Sequence, residues 1–536
     1  MKLITLFILI IIYTNSYSQV TEEWVQRYND SKNFNDRATS IAIDDNGNVY
    51  ITGHSTNNTS SGPCATIKYN TSGIQQWIAY SNALLGYSIA VDGSGNVYVT
   101  GISGEILTKK NYKTVKYNSD GIEQWIQTYN GPVNEDDEAH SIAIDFSGNV
   151  YVTGWTTVES FSNKRKCTTI KYDSDGVLQW VAIYEGTINS STEGWYISVD
   201  ASNNVYVTGH SLDFGTNNNY LTIKYSSNGT EIWAQSYNGQ ANNDDRAHFH
   251  AVDDLGNVYV TGQSYGNGSS YDYVTIKYSP TGIQQWIQKY ITSGVDVAKS
   301  IGVDDFGNIY VTGGSYGGLT GSDYATIKYN SSGVQQWIQR YNNYTKYNDF
   351  ANSLVLDHLG NIYVSGYSSG NGTNFDYVTI KYSSTGVQQW IQRYNGPGNN
   401  VDKANSLAVD ASGNVYVTGE SIGNEKDYDY ATIKYSQQVG IVSLSTAIPD
   451  NYNLYQNYPN PFNPNSKIKF ALPKNSFVKI IIYDLLGKEI ETIVNGQLSA
   501  GVYETYFDGT GLSTGVYFYR LTTEDYSETK NMMLIK

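Results

Sequence analysis

The ten residues Asp-Asp-Asn-Gly-Asn-Val-Tyr-Ile-Thr-Gly (44–53) are the first of eight copies of one motif. The general form is Asp-x-x-Gly-Asn-Val-Tyr-Val-Thr-Gly, and the copies, which lie 48 to 55 residues apart, begin at Asp44, Asp92, Asp145, Asp200, Asp253, Asp304, Asp357 and Asp410. A second series, Thr-Ile-Lys-Tyr, begins at Thr66, Thr114, Thr169, Thr222, Thr275, Thr326, Thr379 and Thr432. A third centres on Trp24, Trp77, Trp125, Trp180, Trp233, Trp286, Trp337 and Trp390. Self-similarity at a fixed period indicates a repeat architecture.

Each repeat contains four short runs with the character of β-strands. In the first repeat they are Ala38–Asp44, Asn48–Gly53, Ala65–Tyr69 and Gln75–Tyr80. Four strands per unit at this period are typical of propeller blades rather than of a helical solenoid. The 50 Tyr and 51 Gly agree, because Tyr favours pleated strands and Gly favours tight turns. The sequence therefore predicts an all-β fold, an eight-bladed β-propeller.

Two turns in each repeat require a residue that tolerates a positive φ. The loop between the first two strands holds Gly47 or its equivalent in seven copies and Asn203 in the eighth, and Asn tolerates a left-handed backbone better than most residues. A second Gly lies four residues before each Trp from Trp77 onward, which predicts a hairpin there. We expect the eight Trp to pack blade against blade.

The phase of the repeat predicts how the ring closes. The array opens with the Trp strand, Glu23–Tyr28, and ends with a Thr-Ile-Lys-Tyr strand, Ala431–Tyr435, so neither end holds a complete blade. The economical closure places the N-terminal strand on the outer edge of the last blade, where it covers a sheet edge that would otherwise invite aggregation.

Composition and charge exclude some classes of function. The net charge of −16 and the pI of about 4.8 disfavour nucleic acid as a partner, because phosphates would be repelled. Residues 1–18, with a basic start and the apolar run Leu3–Tyr13, predict a signal peptide, and no later stretch is long and apolar enough for a membrane helix. Cys64 and Cys167 occupy one position of two non-adjacent repeats, too far apart to be bridged, so we expect free thiols.

The repeat array resembles a known family. Residues 22–436 are similar to the bacterial SBBP propeller repeat, whose units follow the pattern Ala-x-Ser-Ile-Ala-Val-Asp-x-x-Gly-Asn-Val-Tyr-Val-Thr-Gly. The family is named for seven blades, whereas this sequence counts eight. With the segment after the signal peptide included, the predicted propeller spans 19–436.

The C-terminal residues resemble a different family. After a linker at 437–448, the segment 449–536 contains Tyr-Pro-Asn-Pro-Phe-Asn-Pro (458–464), Tyr-Asp-Leu-Leu-Gly (483–487) and Leu-Ser-Thr-Gly-Val-Tyr (512–517). These motifs are similar to the type A C-terminal sorting domain of type IX secretion cargo. The resemblance implies recognition by the secretion machinery, export across the outer membrane, and a mature protein that is released or attached to the cell surface. Six alternating runs predict a small β-sandwich: 467–472, 478–484, 489–494, 502–508, 516–522 and 530–535.

Acidic loops are the candidate ligand-binding residues. Asp-x-x-Gly-Asn invites a calcium hypothesis, but Leu255, Phe306 and Leu359 occupy a position that would have to ligate the ion, so a self-capped turn is favoured and no cofactor is expected. The longer loops, on the opposite face of the propeller, carry paired Asp in blades five to eight. The first series lies eight residues before the Asp of the Asp-x-x-Gly-Asn motif; its candidates are Asp296, Asp349 and Asp402, with Asp36, Asp137 and Asp245 as further members. The second series lies three residues before the Thr of Thr-Ile-Lys-Tyr; its candidates are Asp272, Asp323, Asp376 and Asp429. The alternative is that each Asp caps a loop of its own blade.

The sequence points away from an enzyme without settling the function. It lacks a nucleophile elbow, a zinc-protease motif and a phosphate loop, and His248-x-His250 has no third ligand at a known spacing. The hypotheses are a binding or adhesion module that uses the long-loop face for a glycan or protein, a structural surface protein without a discrete ligand, and an extracellular carbohydrate-active hydrolase or lyase. An active site would show as divergence in one blade.

Overall fold

The computed structural model describes residues 20–535 except for short gaps at 31–34, 57–63, 82–83, 104–108, 161–163, 188–189, 213–216, 267–269, 344–346, 358–359, 371, 425–426, 438–441, 446–447 and 510–511. The predicted signal peptide lies outside the described residues. Glu22–Tyr435 forms one compact unit, and the residues from Ser436 onward belong to a second. Across the described ranges, no helix has the length and hydropathy needed to span a bilayer.

Eight four-stranded sheets occupy the described part of residues 20–437, one for each repeat of the sequence. Within blades 1 to 7 the strands follow one another in chain order and pair antiparallel. After β1 (Val20–Tyr28), the first four blades comprise β2 (Asn35–Ile43), β3 (Val49–Thr56), β4 (Cys64–Tyr69) and β5 (Gln75–Ser81); β6 (Leu84–Val91), β7 (Val97–Ser103), β8 (Asn111–Tyr117) and β9 (Glu123–Tyr129); β10 (Asp137–Ile144), β11 (Val150–Thr157), β12 (Arg165–Tyr172) and β13 (Leu178–Ile183); and β14 (Ser191–Val199), β15 (Val205–Leu212), β16 (Asn218–Tyr225) and β17 (Glu231–Tyr237).

The last four blades repeat the pattern, and the eighth borrows its outer strand from the N-terminus. They comprise β18 (Asp245–Val252), β19 (Val258–Tyr265), β20 (Tyr271–Tyr278) and β21 (Gln284–Tyr290); β22 (Asp296–Val303), β23 (Ile309–Tyr316), a 3₁₀ turn (Gly318–Thr320), β24 (Ser322–Tyr329) and β25 (Gln335–Tyr341); β26 (Asp349–Leu356), β27 (Ile362–Ser369), β28 (Phe375–Tyr382) and β29 (Gln388–Tyr394); and β30 (Asp402–Val409), β31 (Val415–Ile422) and β32 (Tyr428–Gln437). The eighth sheet has the order β1-β32-β31-β30, which confirms the predicted closure.

The first strand of each blade lies innermost. Each of the eight first strands contacts the first strand of the next blade, and β2 of blade 1 contacts β30 of blade 8, so these strands form a closed inner ring. Hydrophobic cores lie between adjacent blades: Tyr206 and Tyr220 of blade 4, for example, pack with Val258 and Ile276 of blade 5.

The predicted turns form as the residues require. Gly47 has a φ of 74°, and Asn203 has a φ of 62°, which confirms that this position demands a left-handed backbone. Asp44 accepts the backbone N–H groups of Asn46 and Asn48 on one oxygen, and the Asn48 amide and the Tyr50 hydroxyl on the other. The turn is thus closed by its own Asp.

The Trp series packs blade against blade, as predicted. Trp77 contacts Tyr50 of its own blade and Tyr117 of the next, and its indole N–H donates to the Ser119 carbonyl at 2.9 Å. The same bond to the next blade is made by Trp24, Trp125, Trp180, Trp233, Trp286 and Trp337. Trp390 differs: its N–H is buried with no hydrogen-bond partner in the described residues. In the next blade, β32 and β1 are not joined by a hairpin, whereas the corresponding strands of the other blades are consecutive in the chain.

The two cysteines are free, as predicted, and both are fully buried. Burial raises the pKa of each thiol. A buried thiol of this kind behaves as a small apolar side chain rather than as a nucleophile.

The C-terminal unit is a two-sheet sandwich. Its strands are β33 (Val442–Ser445), β34 (Asn453–Leu454), β35 (Asn465–Leu472), β36 (Ser476–Tyr483), β37 (Glu489–Leu498), β38 (Gly501–Asp508), β39 (Gly515–Thr522) and β40 (Ser527–Leu534). The sheets have the orders β33-β38-β35-β34 and β37-β36-β39-β40, and Phe470, Ile480 and Tyr519 lie in the core between them. All six predicted strands are present. Part of the predicted linker, β33, pairs with β38 instead of standing apart.

Candidate functional site

The first series of predicted acidic residues lies inside the blades. Asp349 accepts the backbone N–H of Asn343 in the preceding loop and that of Ser369 at the end of the second strand. Asp36, Asp137, Asp245, Asp296 and Asp402 hold the same position, and each accepts a backbone N–H from the loop that precedes its own strand. All six are 0% exposed, because these carboxylates close the loop between consecutive blades.

The second series is buried as well, and three of its four members are paired with arginine. Asp323 lies opposite Ser315 in the strand register and binds Arg340 at 2.9 Å. Asp376 binds Arg393 and Asp429 binds Arg27, both at 2.6 Å. Asp272 is 7% exposed, and its burial raises the pKa of the carboxyl, an effect that Lys289 opposes.

The acidic sector predicted for the long-loop face is therefore corrected. The seven candidate carboxylates are enclosed by backbone, hydroxyl and guanidinium groups rather than presented to a ligand, and this is the loop-capping alternative that the sequence left open. In the described residues, no group of three or more His, Cys, Asp or Glu side chains has the arrangement of a metal site.

A different cluster lies on the inner ring, near the long-loop end of the first strands. Each first strand has a β-bulge, at which one residue is skipped in the register; in blade 3 this residue is His140. Where the bulge residue is Thr39, Asn352 or Asn405, its side chain donates to a backbone carbonyl of the next first strand. Blades 2, 3 and 4 instead carry Tyr87, His140 and Trp195.

Trp195 is the exposed centre of this cluster. Its indole stacks on the His140 ring, with centroids 4.3 Å apart and an angle of 22° between the planes. Its N–H donates to His210 Nδ1 at 3.0 Å. His140 is itself held by an Nδ1–H bond to the Gly194 carbonyl at 2.9 Å. Although it is fixed on one face and one edge, Trp195 is 43% exposed.

Two ion pairs flank the stacked rings. Glu193 binds Arg165 at 2.7 Å and faces His210 Nε2 at 3.5 Å. Because Nδ1 of His210 accepts a hydrogen bond from the indole N–H, the neutral imidazole carries its own proton on Nε2. Burial lowers the pKa of His210 to about 4, so this ring is neutral at pH 7.

The second pair joins Glu138 to Lys110 at 2.6 Å, with His140 Nε2 at 3.5 Å from the same carboxyl group. Burial opposes ionisation of Glu138, but the hydrogen bonds from His140 and Lys110 outweigh it and lower the pKa to about 2. The Arg165 guanidinium also lies 3.9 Å from the centre of the buried Trp155 ring. We call Lys110, Glu138, His140, Trp155, Arg165, Glu193, Trp195 and His210 the Trp195 cluster.

Sequence reasoning missed this cluster, although a signal was present. The chain has ten Trp, and only eight belong to the repeat series. The two others, Trp155 and Trp195, both lie in the Trp195 cluster. A residue that departs from an otherwise uniform repeat is the divergence expected of a functional site.

Comparison with known proteins supports the division of the chain. A family model described as a beta-propeller repeat matches residues 23–58, 74–105, 124–162, 285–319, 336–375 and 389–425. A second model, a secretion system C-terminal sorting domain, matches residues 456–536. The chain contains beta-propeller repeats and a secretion system C-terminal sorting domain. The sorting domain directs the propeller to the cell surface or the extracellular space and implies contact with the type IX secretion machinery.

Similar proteins are distant. An uncharacterized WD repeat-containing protein, L264 of Acanthamoeba polyphaga mimivirus, is 31% identical over 219 residues, which are 40% of this chain and 13% of that protein. Among solved structures, the Dos1 propeller has a TM-score of 0.49 at 10% identity and covers 77% of this chain and 96% of its own. PorZ, a surface component of the type IX secretion system of Porphyromonas gingivalis, has a TM-score of 0.40 at 14% identity and covers 92% and 70%.

Proposed function

We propose that the exported propeller is a non-catalytic binding module, and that it holds an extracellular ligand at the Trp195 cluster. The observation that carries this proposal is the exposure of Trp195 on the inner ring. At three other positions of that ring, Thr39, Asn352 and Asn405, the bulge residue is polar and bonds the next blade. Trp195 leaves a large apolar surface in water at a position where a small polar residue would stabilise the ring.

The remaining features suit a site that binds. Aromatic side chains that are held rigidly and flanked by a few polar groups are typical of ligand sites. Trp195 lies three residues after Thr192, which occupies the position of the loop-capping Asp in blade 4. The Trp195 cluster is therefore close to the long loops that the sequence predicts for binding. Blades 6 to 8, whose sequences are nearly alike, then serve as the scaffold that holds the Trp195 cluster in place.

The charge states disfavour a hydrolase at this place. A glycosidase needs one carboxyl group that is protonated near neutral pH, which requires a raised pKa. The pKa of Glu138 is instead lowered to about 2. His140 and Lys110 hold this carboxyl group ionised, which suits a structural ion pair and not a general acid.

The test uses the full exported chain on an array of glycans and on an array of extracellular proteins such as collagen, fibronectin and mucin. We expect specific binding that is lost in the double variant His140→Ala, Trp195→Ala. Asn352→Ala is the matched control, because it changes the same position in another blade, and it should bind normally. Loss of binding in both variants, or in neither, would place the function elsewhere. If the wild-type chain binds nothing on either array, the structural hypothesis replaces this one.

A further inference from the structure

The open surface of Trp195 has a defined shape. One indole face is covered by the His140 ring at 4.3 Å, and the N–H edge is bonded to His210. The 43% exposure therefore belongs to the opposite face and the far edge. This leaves a flat, apolar surface of fixed orientation on the inner ring.

The charges around this surface are balanced. Lys110 is paired with Glu138, and Arg165 with Glu193, so each of these two ion pairs balances its own charge. The neighbouring Arg246 of blade 5 is paired with Asp244 at 3.0 Å. A charged ligand would find no surplus charge of the opposite sign among these groups, whereas a neutral ligand would not disturb the pairs.

The polar groups can still serve hydroxyls. The side chains of Arg165 and Lys110 are 40% and 43% exposed, and each belongs to an ion pair that flanks the stacked rings. Guanidinium and ammonium groups donate, and the paired carboxylates retain acceptor positions. A ligand with one apolar face and several hydroxyls at its edge matches this arrangement, and a pyranose ring has that shape.

We infer that the Trp195 cluster binds a neutral, pyranose-containing glycan, with the C–H face of one sugar ring stacked on the open face of Trp195. The weakly positive C–H groups of the ring would face the negative π-surface of the indole. Hydroxyls at the ring edge would bond to Arg165 and Glu193. This inference rests on the proposed function and adds to it the class of ligand.

The test is a titration of the full exported chain with soluble neutral oligosaccharides of glucose, mannose and galactose, and in parallel with uronic-acid, sialylated and sulfated oligosaccharides. We expect saturable binding of a neutral oligosaccharide. Trp195→Ala should weaken it on the order of tenfold, which is about 1.4 kcal/mol. Trp195→Phe, which keeps an aromatic face, should weaken it less. Phe306→Ala removes a 77% exposed aromatic residue from the Asp-x-x-Gly turn of blade 6 and should leave binding unchanged.

The dependence on salt gives a second readout. Binding of a neutral sugar should change little between about 50 and 300 mM salt, because no net charge is neutralised. Binding restricted to anionic sugars, or a steep loss with salt, would overturn the inference and leave the proposed binding function standing. Neutral-sugar binding that Trp195→Ala does not weaken would also overturn it. Binding of an extracellular protein but of no sugar would support the proposed function and reject the sugar.

Discussion

Replacing Arg27 with alanine should weaken the seam of the propeller, the pairing of β1 with β32 that closes the ring. Arg27 lies on β1, and its guanidinium donates to the Tyr394 hydroxyl of blade 7 at 2.9 Å. It also donates to the side chain and carbonyl of Ser421 at 2.6 and 2.9 Å, and it binds Asp429 at 2.6 Å. One side chain from the N-terminus thus ties the last two blades together.

The magnitude follows from the burial of the pair. The side chains of Arg27 and Asp429 are 22% and 9% exposed, so removal of the guanidinium leaves a nearly buried carboxylate without its cation. Breaking a buried pair in this way costs about 3–5 kcal/mol, and the partial exposure of Arg27 favours the lower end, about 3 kcal/mol. If β1 separates from β32 as a unit, its opening equilibrium should rise on the order of 100-fold.

Hydrogen exchange of the β32 amides is the direct assay, with limited proteolysis of β1 beside it. Arg340→Ala is the matched control, because Arg340 makes the same contacts to Tyr290, Ser315 and Asp323 within a continuous blade. We expect a similar loss of global stability in both variants but fast exchange in β32 only for Arg27→Ala. Adding Asp429→Asn should restore part of the protection. Unchanged exchange in β32, or equal opening of β24 in the control, would refute this account of the seam.

Three further outcomes are expected. Trp337→Phe should destabilise the propeller by about 1 kcal/mol more than Trp390→Phe, because among the described residues Trp337 has an indole hydrogen bond to lose and Trp390 has none. Equal losses in urea unfolding would contradict this. Calcium or a chelator should leave the unfolding midpoint unchanged, because Asp44 and its equivalents are occupied by turn hydrogen bonds; an upward shift with calcium would reveal a site. Burial raises the pKa of Asp36 to about 7 from 3.8, so the folded chain retains a proton that the unfolded chain releases, and this contribution to stability declines as pH rises from about 4 to 7. Between these pH values, the midpoint of thermal unfolding should decline less steeply for Asp36→Asn than for the wild-type chain. Equal slopes for the two chains would contradict this role of Asp36.

Features that depend on neighbours along the chain could be predicted from the sequence. The φ of Asn203 is one example, because the Asp-x-x-Gly-Asn turn is closed by bonds among residues two to six positions apart. The phase of the array likewise predicted that the N-terminal strand completes the last blade, since an incomplete blade at each end leaves one economical pairing.

The candidate site could not be predicted in this way. From the sequence, the seven Asp of the long loops form a shared acidic surface. Their burial could not be predicted, because it depends on partners in other strands, such as Arg340 for Asp323. The contacts of Trp195 are with His140 of the preceding blade and with His210 of the second strand of its own blade. Repeat alignment shows that Trp195 is unusual but not what it touches.

Local pattern was therefore sufficient for the all-β class, the four strands per blade and the turn chemistry, because each rests on short-range backbone preferences repeated many times. The sorting domain was identified by its resemblance to a known family. Three properties were settled only when the blades closed into a ring: which carboxylates are enclosed, that the indole of Trp390 lacks a partner among the described residues, and that Trp195 is left open on the inner ring. Those properties arise between blades, where residues about fifty positions apart come into contact, and burial there is set by the partner and not by the residue itself.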